Sequence, residues 1–209
     1  MFITFEGIDG SGKTTQSKLL ADHFKQMRGE DNVVLTREPG GTDFAEKIRE
    51  VLLTNNIDPI SELLLLISMR YEHMKKLILP ALAEGKIVIC DRFIDSTIAY
   101  QGYGLGVDLE LIRKLHKLLE IKRPDVTFIL DIDVDIALSR AQNKNKYEEM
   151  DVNFYNKVRK GFQEIATKES DRCYFLTKIE TKNDNQVHVG IINEITRKLL
   201  HYSTEKPKK

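Results

Sequence analysis

Short runs of β-branched and aromatic residues alternate along the chain with stretches long enough to form a helix. The runs lie at residues 2–5, 33–36, 87–90, 126–132 and 174–176. Such alternation is typical of parallel strands joined by right-handed helical crossovers. We therefore expect an α/β fold built on a doubly wound, parallel five-stranded sheet flanked by helices.

The intervening stretches carry apolar residues at the 3.6-residue spacing of a helix. Leu109, Ile112 and Leu115 form one such stripe, which we expect to face the core. A long apolar helix is predicted from residue 61 to about residue 83, ending near Gly85 because glycine suits a helix terminus. The pattern is compatible with a single domain at residues 1–202, and the polar segment 203–209 is expected to be a disordered tail.

The composition of the chain argues against nucleic-acid and membrane partners. The chain has 32 basic and 32 acidic residues, so its formal net charge is zero and no basic field favours a nucleic-acid partner. The longest apolar run, 63–67, is too short to span a membrane, and the N-terminus does not resemble a signal peptide. We expect a cytoplasmic protein without a membrane partner. Cys90 and Cys173 are far apart and are expected to be buried, reduced thiols.

The clearest motif lies directly after the first predicted strand. Residues 7–14 read GIDGSGKT, which satisfies G-x-x-x-x-G-K-[ST], and a helical pattern follows. Glycines let backbone N–H groups curl around phosphate oxygens, and the helix N-terminus adds partial positive charge. Lys13 is expected to neutralise the outer phosphates of ATP, and Thr14 to place its hydroxyl on Mg²⁺. The expected ATP-binding residues are Gly7, Ile8, Asp9, Gly10, Ser11, Gly12, Lys13, Thr14 and Thr15.

A carboxylate at the end of a buried strand would complete the magnesium site. The run 87–90 ends at Asp91, which is the best-placed candidate to hold Mg²⁺ together with Thr14. Asp131, after the fourth predicted strand, is the alternative, and a strand-terminal Asp can also simply cap the next element.

A P-loop alone does not separate kinases from switches and motors. Residues 181–184 read TKND, which matches the guanine-recognition pattern of GTPases, yet the switch motif D-x-x-G occurs only from Asp9 to Gly12, inside the P-loop itself. We interpret TKND as a polar turn. Arg92 follows Asp91 at the carboxyl edge of the predicted sheet, where ligands of doubly wound folds bind, and suits a cation that meets transferring phosphate.

Four stretches together carry a family resemblance. They are FEGIDGSGKTT at 5–15, the helical segment ending at Met69 and Arg70, TREPGGT at 36–42 and DRFIDSTIAYQG at 91–102. With these motifs the chain resembles the bacterial thymidylate kinase family over nearly its whole length. The resemblance implies a P-loop NTP hydrolase fold of the nucleoside monophosphate kinase type, with a small lid at about 140–150. It also implies ATP-dependent phosphorylation of dTMP to dTDP in dTTP biosynthesis, with Mg²⁺, by a homodimer.

The resemblance also implies roles for individual residues in binding dTMP. Arg70 would read the thymine edge, with Thr97 and Gln101 near the base, and Arg92 would bind the acceptor phosphate. Asp9 would hold the 3′-hydroxyl while Tyr100 crowds the 2′ position; a packing aromatic is the alternative for Tyr100. Arg37 would flank the same pocket. The residues implied to be catalytic are Lys13, Arg92, Asp9 and Arg140.

The chain departs from the family pattern beside the base and in the lid, where the usual D-R-x-E reads NKYE at 145–148. Leu66 stands four residues before Arg70, where an aromatic side chain commonly stacks on the base, so an aliphatic contact is expected. The lid segment contains one arginine, Arg140, with Lys144 and Lys146 beside it, and either type of cation could meet the transferring phosphoryl group. The segment could also be a solvated polar loop. Another nucleotide kinase and a regulatory P-loop ATPase are the rival hypotheses.

Overall fold

The structure, a computed structural model, describes residues 1–140, 146–147 and 150–204. Five parallel strands form one sheet in the order β2-β3-β1-β4-β5, which confirms the predicted fold class. The strands are β1 (Phe2–Glu6), β2 (Val33–Arg37), β3 (Ile87–Asp91), β4 (Val126–Leu130) and β5 (Cys173–Leu176). All five occur where the sequence predicts them.

The central strand determines which side chains meet at the carboxyl edge of the sheet. β1 lies between β3 and β4, and its residues Phe2–Glu6 are all buried because helices cover both faces. In the register, Phe5 pairs with Asp91, which in turn pairs with Arg37 of β2. The P-loop, Asp91 and Arg37 therefore emerge side by side.

Nine α-helices lie in the described part of the chain. They are α1 (Lys13–Arg28), α2 (Asp43–Thr54), α3 (Pro59–His73), α4 (Leu79–Ala83), α5 (Ile94–Thr97), α6 (Leu109–Leu118), α7 (Val134–Arg140), α8 (Val152–Lys168) and α9 (Asp184–Thr204). Several begin at a side-chain cap, as at Thr42, Asp58, Asp108 and Asp151, whose oxygens accept hydrogen bonds from backbone N–H groups of the first turn.

β4 is shorter than expected. The sequence run 126–132 predicts a strand to residue 132, whereas β4 ends at Leu130. The chain turns away there because Asp133 accepts a hydrogen bond from the N–H of Asp135 at 3.0 Å, which starts α7.

The long predicted helix is interrupted. It begins at Pro59, two residues earlier than expected, because Asp58 caps it and proline suits the first helical position. Between α3 and α4 the segment Met74–Ile78 is π-helical, and Pro80, which has no N–H to donate, follows. The predicted end at residue 83 is confirmed.

A second π-helical segment, Ile98–Gly104, follows α5 without a break. It carries Tyr100 and Gln101, both of which the sequence analysis assigns to the site. π-helical turns are rare and are frequent at functional sites because they displace side chains from α-helical positions. The motif DRFIDSTIAYQG is therefore a strand end, a short helix and a π-helical turn.

Other expectations concern the cysteines and the C-terminal region. Cys90 and Cys173 are buried free thiols, as predicted. The TKND segment is a polar turn in which Asn183 accepts a hydrogen bond from the N–H of Gln186 at 2.9 Å, at the start of α9. Because α9 runs to Thr204, residues 203 and 204 of the expected tail are helical, whereas residues 205–209 lie outside the described residues. Among the described helices, none combines the length and apolarity needed to cross a membrane.

Candidate active site

The loop between β1 and α1 has a backbone that requires glycine. Gly10 has φ +79°, and a Cβ there would lie 2.1 Å from the carbonyl oxygen of Ala137 in α7. Gly12 has φ +86° and, as the residue preceding α1, supplies no side-chain cap to the first N–H groups of the helix. Uncapped N–H groups at a helix N-terminus form an anion site.

Lys13 lies buried within this loop. Its Nζ donates to the carbonyl oxygen of Ile8 at 2.7 Å and lies 3.4 Å from Ser11 Oγ. Burial and the positive charge of Arg92 lower the pKa of Lys13 to about 8, although Asp9 and Asp91 oppose the shift. An incoming anion would favour the charged form of this side chain.

Thr14 and Asp91 are in direct contact. The Thr14 hydroxyl donates to Asp91 Oδ2 at 2.5 Å. The other carboxylate oxygen, Oδ1, is buried and has no hydrogen-bond partner among the described residues. Asp131, the alternative, is instead held by Arg159 through contacts of 2.7 and 2.9 Å. The geometry therefore favours Asp91 over Asp131 as the carboxylate next to the P-loop.

Arg92 contacts several other residues of the site. Its backbone is left-handed, with φ +69°, an uncommon conformation for a non-glycine residue. The guanidinium donates to Gly7 O at 2.8 Å and to Asp9 Oδ1 at 2.5 Å, and it lies 3.3 Å from the Tyr100 hydroxyl. Tyr100 in turn donates to Asp9 Oδ2 at 3.2 Å. Asp9, Arg92 and Tyr100 therefore form one connected group.

The charge of Asp9 is stabilised by this group. Burial by itself raises the pKa of the carboxyl, but the positive charges of Arg92 and Lys13 outweigh it and lower the pKa to about 2. Asp9 is consequently an anion at neutral pH.

Glu6 is linked to Arg92 through Ser96. The sequence analysis did not single out Glu6. Its carboxylate accepts hydrogen bonds from Phe93 N at 2.8 Å and Ser96 Oγ at 2.5 Å, and Ser96 lies 3.2 Å from Arg92 Nη1. Burial, together with the negative charge of Asp95, raises the pKa of Glu6 to about 7. The available signal was an acidic residue at the end of an otherwise buried strand.

At the opposite end of the site, Arg70 of α3 is held on several sides. Its Nε donates to Glu38 at 2.7 Å, its Nη2 donates to Phe93 O at 2.9 Å, and its Nη1 contacts both Thr97 Oγ1 and His116 Nε2 at 2.9 Å. The guanidinium therefore has a fixed plane.

Two histidines in this cluster were also missed by the sequence analysis. His73 Nδ1 lies 3.0 Å from Glu38 Oε1, and His73 Nε2 lies 2.8 Å from Thr36 Oγ1. Burial and the adjacent charge of Arg70 lower the pKa of His116 to about 3, so His116 is a neutral acceptor for Arg70. No motif identifies these histidines, because their partners lie far away in sequence.

The described lid residues lie next to this end of the site. Lys146 forms an ion pair with the buried Glu62 of α3, and Tyr147 donates its hydroxyl to the same carboxylate at 2.5 Å. Gln101 Nε2 donates to Glu62 at 2.7 Å. Lys146, one of the expected lid cations, is therefore engaged by Glu62 in this structure, and Lys144 lies outside the described residues.

One cavity of about 990 Å³ connects both ends. Its lining brings together the following predicted residues: Asp9, Gly10, Gly12, Lys13, Thr14, Thr15, Arg37, Leu66, Arg70, Asp91, Arg92, Thr97, Tyr100, Gln101 and Arg140. Gly7, Ile8 and Ser11 belong to the loop wall and do not line the cavity. Arg37 is exposed and forms an ion pair with Glu46 at 2.9 Å, and Leu66 is buried.

A family model described as "Thymidylate kinase" matches residues 5–188. The chain belongs to the thymidylate kinase family. This family phosphorylates dTMP to dTDP with ATP in dTTP synthesis, and the chain is accordingly an enzyme, a nucleotide kinase with the P-loop nucleoside monophosphate kinase fold.

Individual thymidylate kinases match over almost their full lengths. A thymidylate kinase of Wolbachia pipientis wMel is 84% identical over 196 residues, covering 94% of this chain and 100% of the relative. One of Ehrlichia ruminantium (strain Gardel) is 54% identical over 203 residues, covering 96% and 99%. The crystal structure of thymidylate kinase from Ehrlichia chaffeensis superimposes with a TM-score of 0.80 at 49% identity, covering 93% of this chain and 98% of that one.

Proposed function

We propose that ATP binds at the P-loop end of the cavity and dTMP at the Arg70 end, and that transfer between them is direct. The single observation that carries this proposal is the continuous cavity lined by Lys13 and Thr14 at one end and Arg70 and Gln101 at the other. An oxygen of the dTMP 5′-phosphate would form a bond to the γ-phosphorus of ATP while the bond from that phosphorus to the β,γ-bridging oxygen breaks. ADP takes the electron pair of the broken bond.

The phosphates of ATP would rest on the loop Gly7, Ile8, Asp9, Gly10, Ser11, Gly12, Lys13, Thr14 and Thr15. Backbone N–H groups and the N-terminus of α1 would meet the negative charge, and Lys13 would contact the outer phosphates. The buried ammonium needs no large movement to do so, because it already lies within the loop.

Mg²⁺ fits the residues next to the P-loop. Thr14 and Asp91 would hold it, directly or through water, and the unpartnered Asp91 Oδ1 is an oxygen suited to this purpose. Within the described residues, no cluster of three or more His, Cys, Asp or Glu side chains could hold a metal alone, which is compatible with an ion bound mainly through nucleotide phosphates. When bound, Mg²⁺ neutralises charge on the β- and γ-phosphate oxygens.

Arg92, Asp9 and Tyr100 would hold the acceptor phosphate and deoxyribose. Arg92 offers a planar fork for phosphate and Asp9 an acceptor for the 3′-hydroxyl, while the Tyr100 ring would crowd a 2′-hydroxyl. Because the acceptor phosphate is already ionised, no strong general base is needed. Alignment and charge neutralisation by this chain's cations would account for the rate.

The thymine base would lie against Arg70, Thr97, Gln101 and Leu66, with Arg37 at the rim of the pocket. Leu66 offers an aliphatic surface rather than a stacking ring. Arg140, the last residue of α7, lines the cavity and would supply a cation from the start of the lid at 140–150. Closure of such a lid would exclude water and so limit ATP hydrolysis. Residues 141–145, 148 and 149 of this segment lie outside the described residues.

A second copy of the chain would cover the outer face of α3. Ile60, Leu64 and Tyr71 are exposed apolar residues on this helix, and Phe44 of α2 lies beside them. Together they form a surface that suits an isologous dimer contact. Sedimentation analysis should give twice the monomer mass, and Leu64→Glu should reduce it to one monomer.

We further propose that residues 1–202 form one catalytic unit that works in the cytoplasm on small nucleotides, without a nucleic-acid or membrane partner. The zero net charge and the two reduced, buried thiols support this setting.

An acceptor panel tests the proposal. ADP release from ATP and Mg²⁺ would be measured with dTMP, dUMP, dCMP, dGMP and no acceptor. We expect turnover to be fastest with dTMP and to be low without acceptor. A preference for another nucleotide would indicate a different nucleotide kinase, and equal ATP hydrolysis under all conditions would indicate a regulatory ATPase.

A further inference from the structure

The amide of Gln101 is held in one orientation. Its Nε2 donates to Glu62 Oε1 at 2.7 Å and to the Tyr147 hydroxyl at 3.1 Å, which uses both of its hydrogens. Both Gln101 and Glu62 are 2% exposed, so water competes little for these bonds. A carboxylate only accepts hydrogen bonds. A rotation that exchanged the oxygen and nitrogen of the amide would place Oε1 against the carboxylate and would be repulsive.

In this orientation, Oε1 is the atom of the Gln101 amide that remains to bind a ligand. Gln101 lines the cavity, and its Oε1 accepts no hydrogen bond within the described part of the chain. Gln101 therefore presents an acceptor to the base pocket.

Arg70 offers a hydrogen-bond donor, which complements the acceptor on Gln101. Of its five N–H groups, one on Nε faces Glu38, two on Nη1 face Thr97 and His116, and one on Nη2 faces Phe93 O. One N–H on Nη2 is left without a partner among the described residues. The pocket therefore offers one acceptor and one donor.

This pair distinguishes pyrimidine bases by chemistry. Thymine and uracil present an N3–H donor beside an O4 acceptor, whereas cytosine presents an N3 acceptor beside an N4 amino donor. We propose that Glu62 is a positioning residue that fixes the polarity of Gln101 and thereby rejects cytosine nucleotides. The inference rests on the proposed contact of Gln101 with the base and adds a residue that does not itself touch the ligand. Lys146 compensates the buried charge of Glu62 from the lid.

The test is Glu62→Gln in the full chain, with kcat/KM measured for dTMP, dUMP and dCMP on one preparation. A glutamine at 62 can accept or donate a hydrogen bond, so the Gln101 amide becomes free to exchange the positions of its oxygen and nitrogen. We expect the dTMP-to-dCMP ratio of kcat/KM to fall roughly tenfold or more, since a mispaired buried polar group no longer opposes cytosine. The dTMP-to-dUMP ratio should stay within about twofold, because these bases share the same edge.

Two further variants serve as controls. Tyr147→Phe removes a hydroxyl that can both donate and accept, so the dTMP-to-dCMP ratio should remain close to that of the wild type. Glu62→Asp keeps a carboxylate and should also preserve the ratio. The ratios do not depend on the folded fraction of a preparation, because both substrates are measured on the same enzyme.

The outcomes separate the inference from the proposed function. If Gln101→Leu lowers the dTMP-to-dCMP ratio and Glu62→Gln does not, the contact of Gln101 with the base stands and the role of Glu62 is overturned. If neither variant changes the ratio, the proposed base contact fails as well. Equal changes in both ratios, or a loss of discrimination in Glu62→Asp, would indicate general loosening of the pocket and would overturn the role of Glu62.

Discussion

Thr14 and Asp91 meet across the gap between the first turn of α1 and the end of β3, with 2.5 Å between Oγ1 and Oδ2. The contact is possible because β1 and β3 are neighbours in the sheet, so the loop that follows one lies beside the last residue of the other. The same contact leaves Asp91 Oδ1 without a partner among the described residues. The Thr14 hydroxyl and the Asp91 carboxylate are therefore close enough to hold one Mg²⁺ ion between them, as proposed above.

Replacement of Thr14 tests this position. Thr14→Ala removes the hydroxyl and should weaken Mg²⁺-dependent ATP binding by about 10- to 100-fold, the range usual for disturbed metal positions. Thr14→Ser keeps the hydroxyl and should bind nearly as the wild type does. Calorimetric titration with ATP, with and without Mg²⁺, provides the measurement. Equal Mg²⁺ dependence in Thr14→Ala and the wild type would contradict the assignment.

Arg92 should contribute mainly to turnover. Arg92→Ala removes the guanidinium that lies between the two ends of the cavity, and we expect kcat to fall on the order of 10³-fold, as for other arginines that stabilise phosphoryl transfer. Arg92→Lys keeps a charge but loses the planar fork, so an intermediate loss is expected. Steady-state rates with dTMP provide the measurement, and near-normal turnover in Arg92→Ala would refute the role.

Lys13 should couple ATP binding to proton uptake. The pKa of Lys13 is lowered to about 8 by burial and Arg92, so at pH 8 about half of the free enzyme carries the charge. Bound phosphates favour the charged form and so raise this pKa. ATP binding at pH 8 should therefore take up a fraction of a proton, and ATP affinity should fall as the pH rises above 8.

Calorimetry in two buffers of different ionisation enthalpy measures that uptake. Lys13→Met has no ammonium to protonate and provides the matched control. Identical proton uptake in both proteins, or an affinity that stays constant between pH 7 and pH 9.5, would contradict the prediction.

Removal of one partner from a buried ion pair should be strongly destabilising. Arg172 donates to both oxygens of Asp95, at 2.7 and 2.8 Å, and the two side chains are 2% and 0% exposed. Arg172→Met leaves Asp95 as an uncompensated buried charge and should lower the free energy of unfolding by about 3 to 5 kcal/mol. The pair formed by the exposed Arg197 and the half-buried Glu194 provides a control, since Arg197→Met should cost less than about 1 kcal/mol. Urea unfolding would measure both, and similar losses would disprove the distinction.

Features set by local sequence were predictable. The five strands, the P-loop and the helix that follows it are set by residue patterns over a few positions, and the structure confirms these elements. The sequence already favours Asp91 over Asp131, but the contact that supports this choice, between Asp131 and Arg159 of α8, was not predictable. That contact joins segments 28 residues apart, and no local pattern reports it.

The supporting residues of the site were not predictable for the same reason. Glu62, His73 and His116 carry no motif, and Glu38 lies in the TREPGGT motif with no local sign of its contact with Arg70. Each acts through a partner distant in sequence, as between Arg70 and His116, which are 46 residues apart. The π-helical turn at Ile98–Gly104 is also invisible to a 3.6-residue pattern, although it determines where Tyr100 and Gln101 lie.

The left-handed backbone of Arg92 has a consequence for how this position tolerates change. A non-glycine residue in that conformation costs roughly 1–2 kcal/mol, so the chain carries a local strain at the centre of its chemistry. Glycine adopts this backbone freely, and asparagine and aspartate adopt it more readily than other residues, but each of these substitutions also removes the guanidinium that compensates the charge of Asp9. Relief of backbone strain at this position is therefore opposed by the loss of that ion pair, and a search for stabilised variants should hold residue 92 constant.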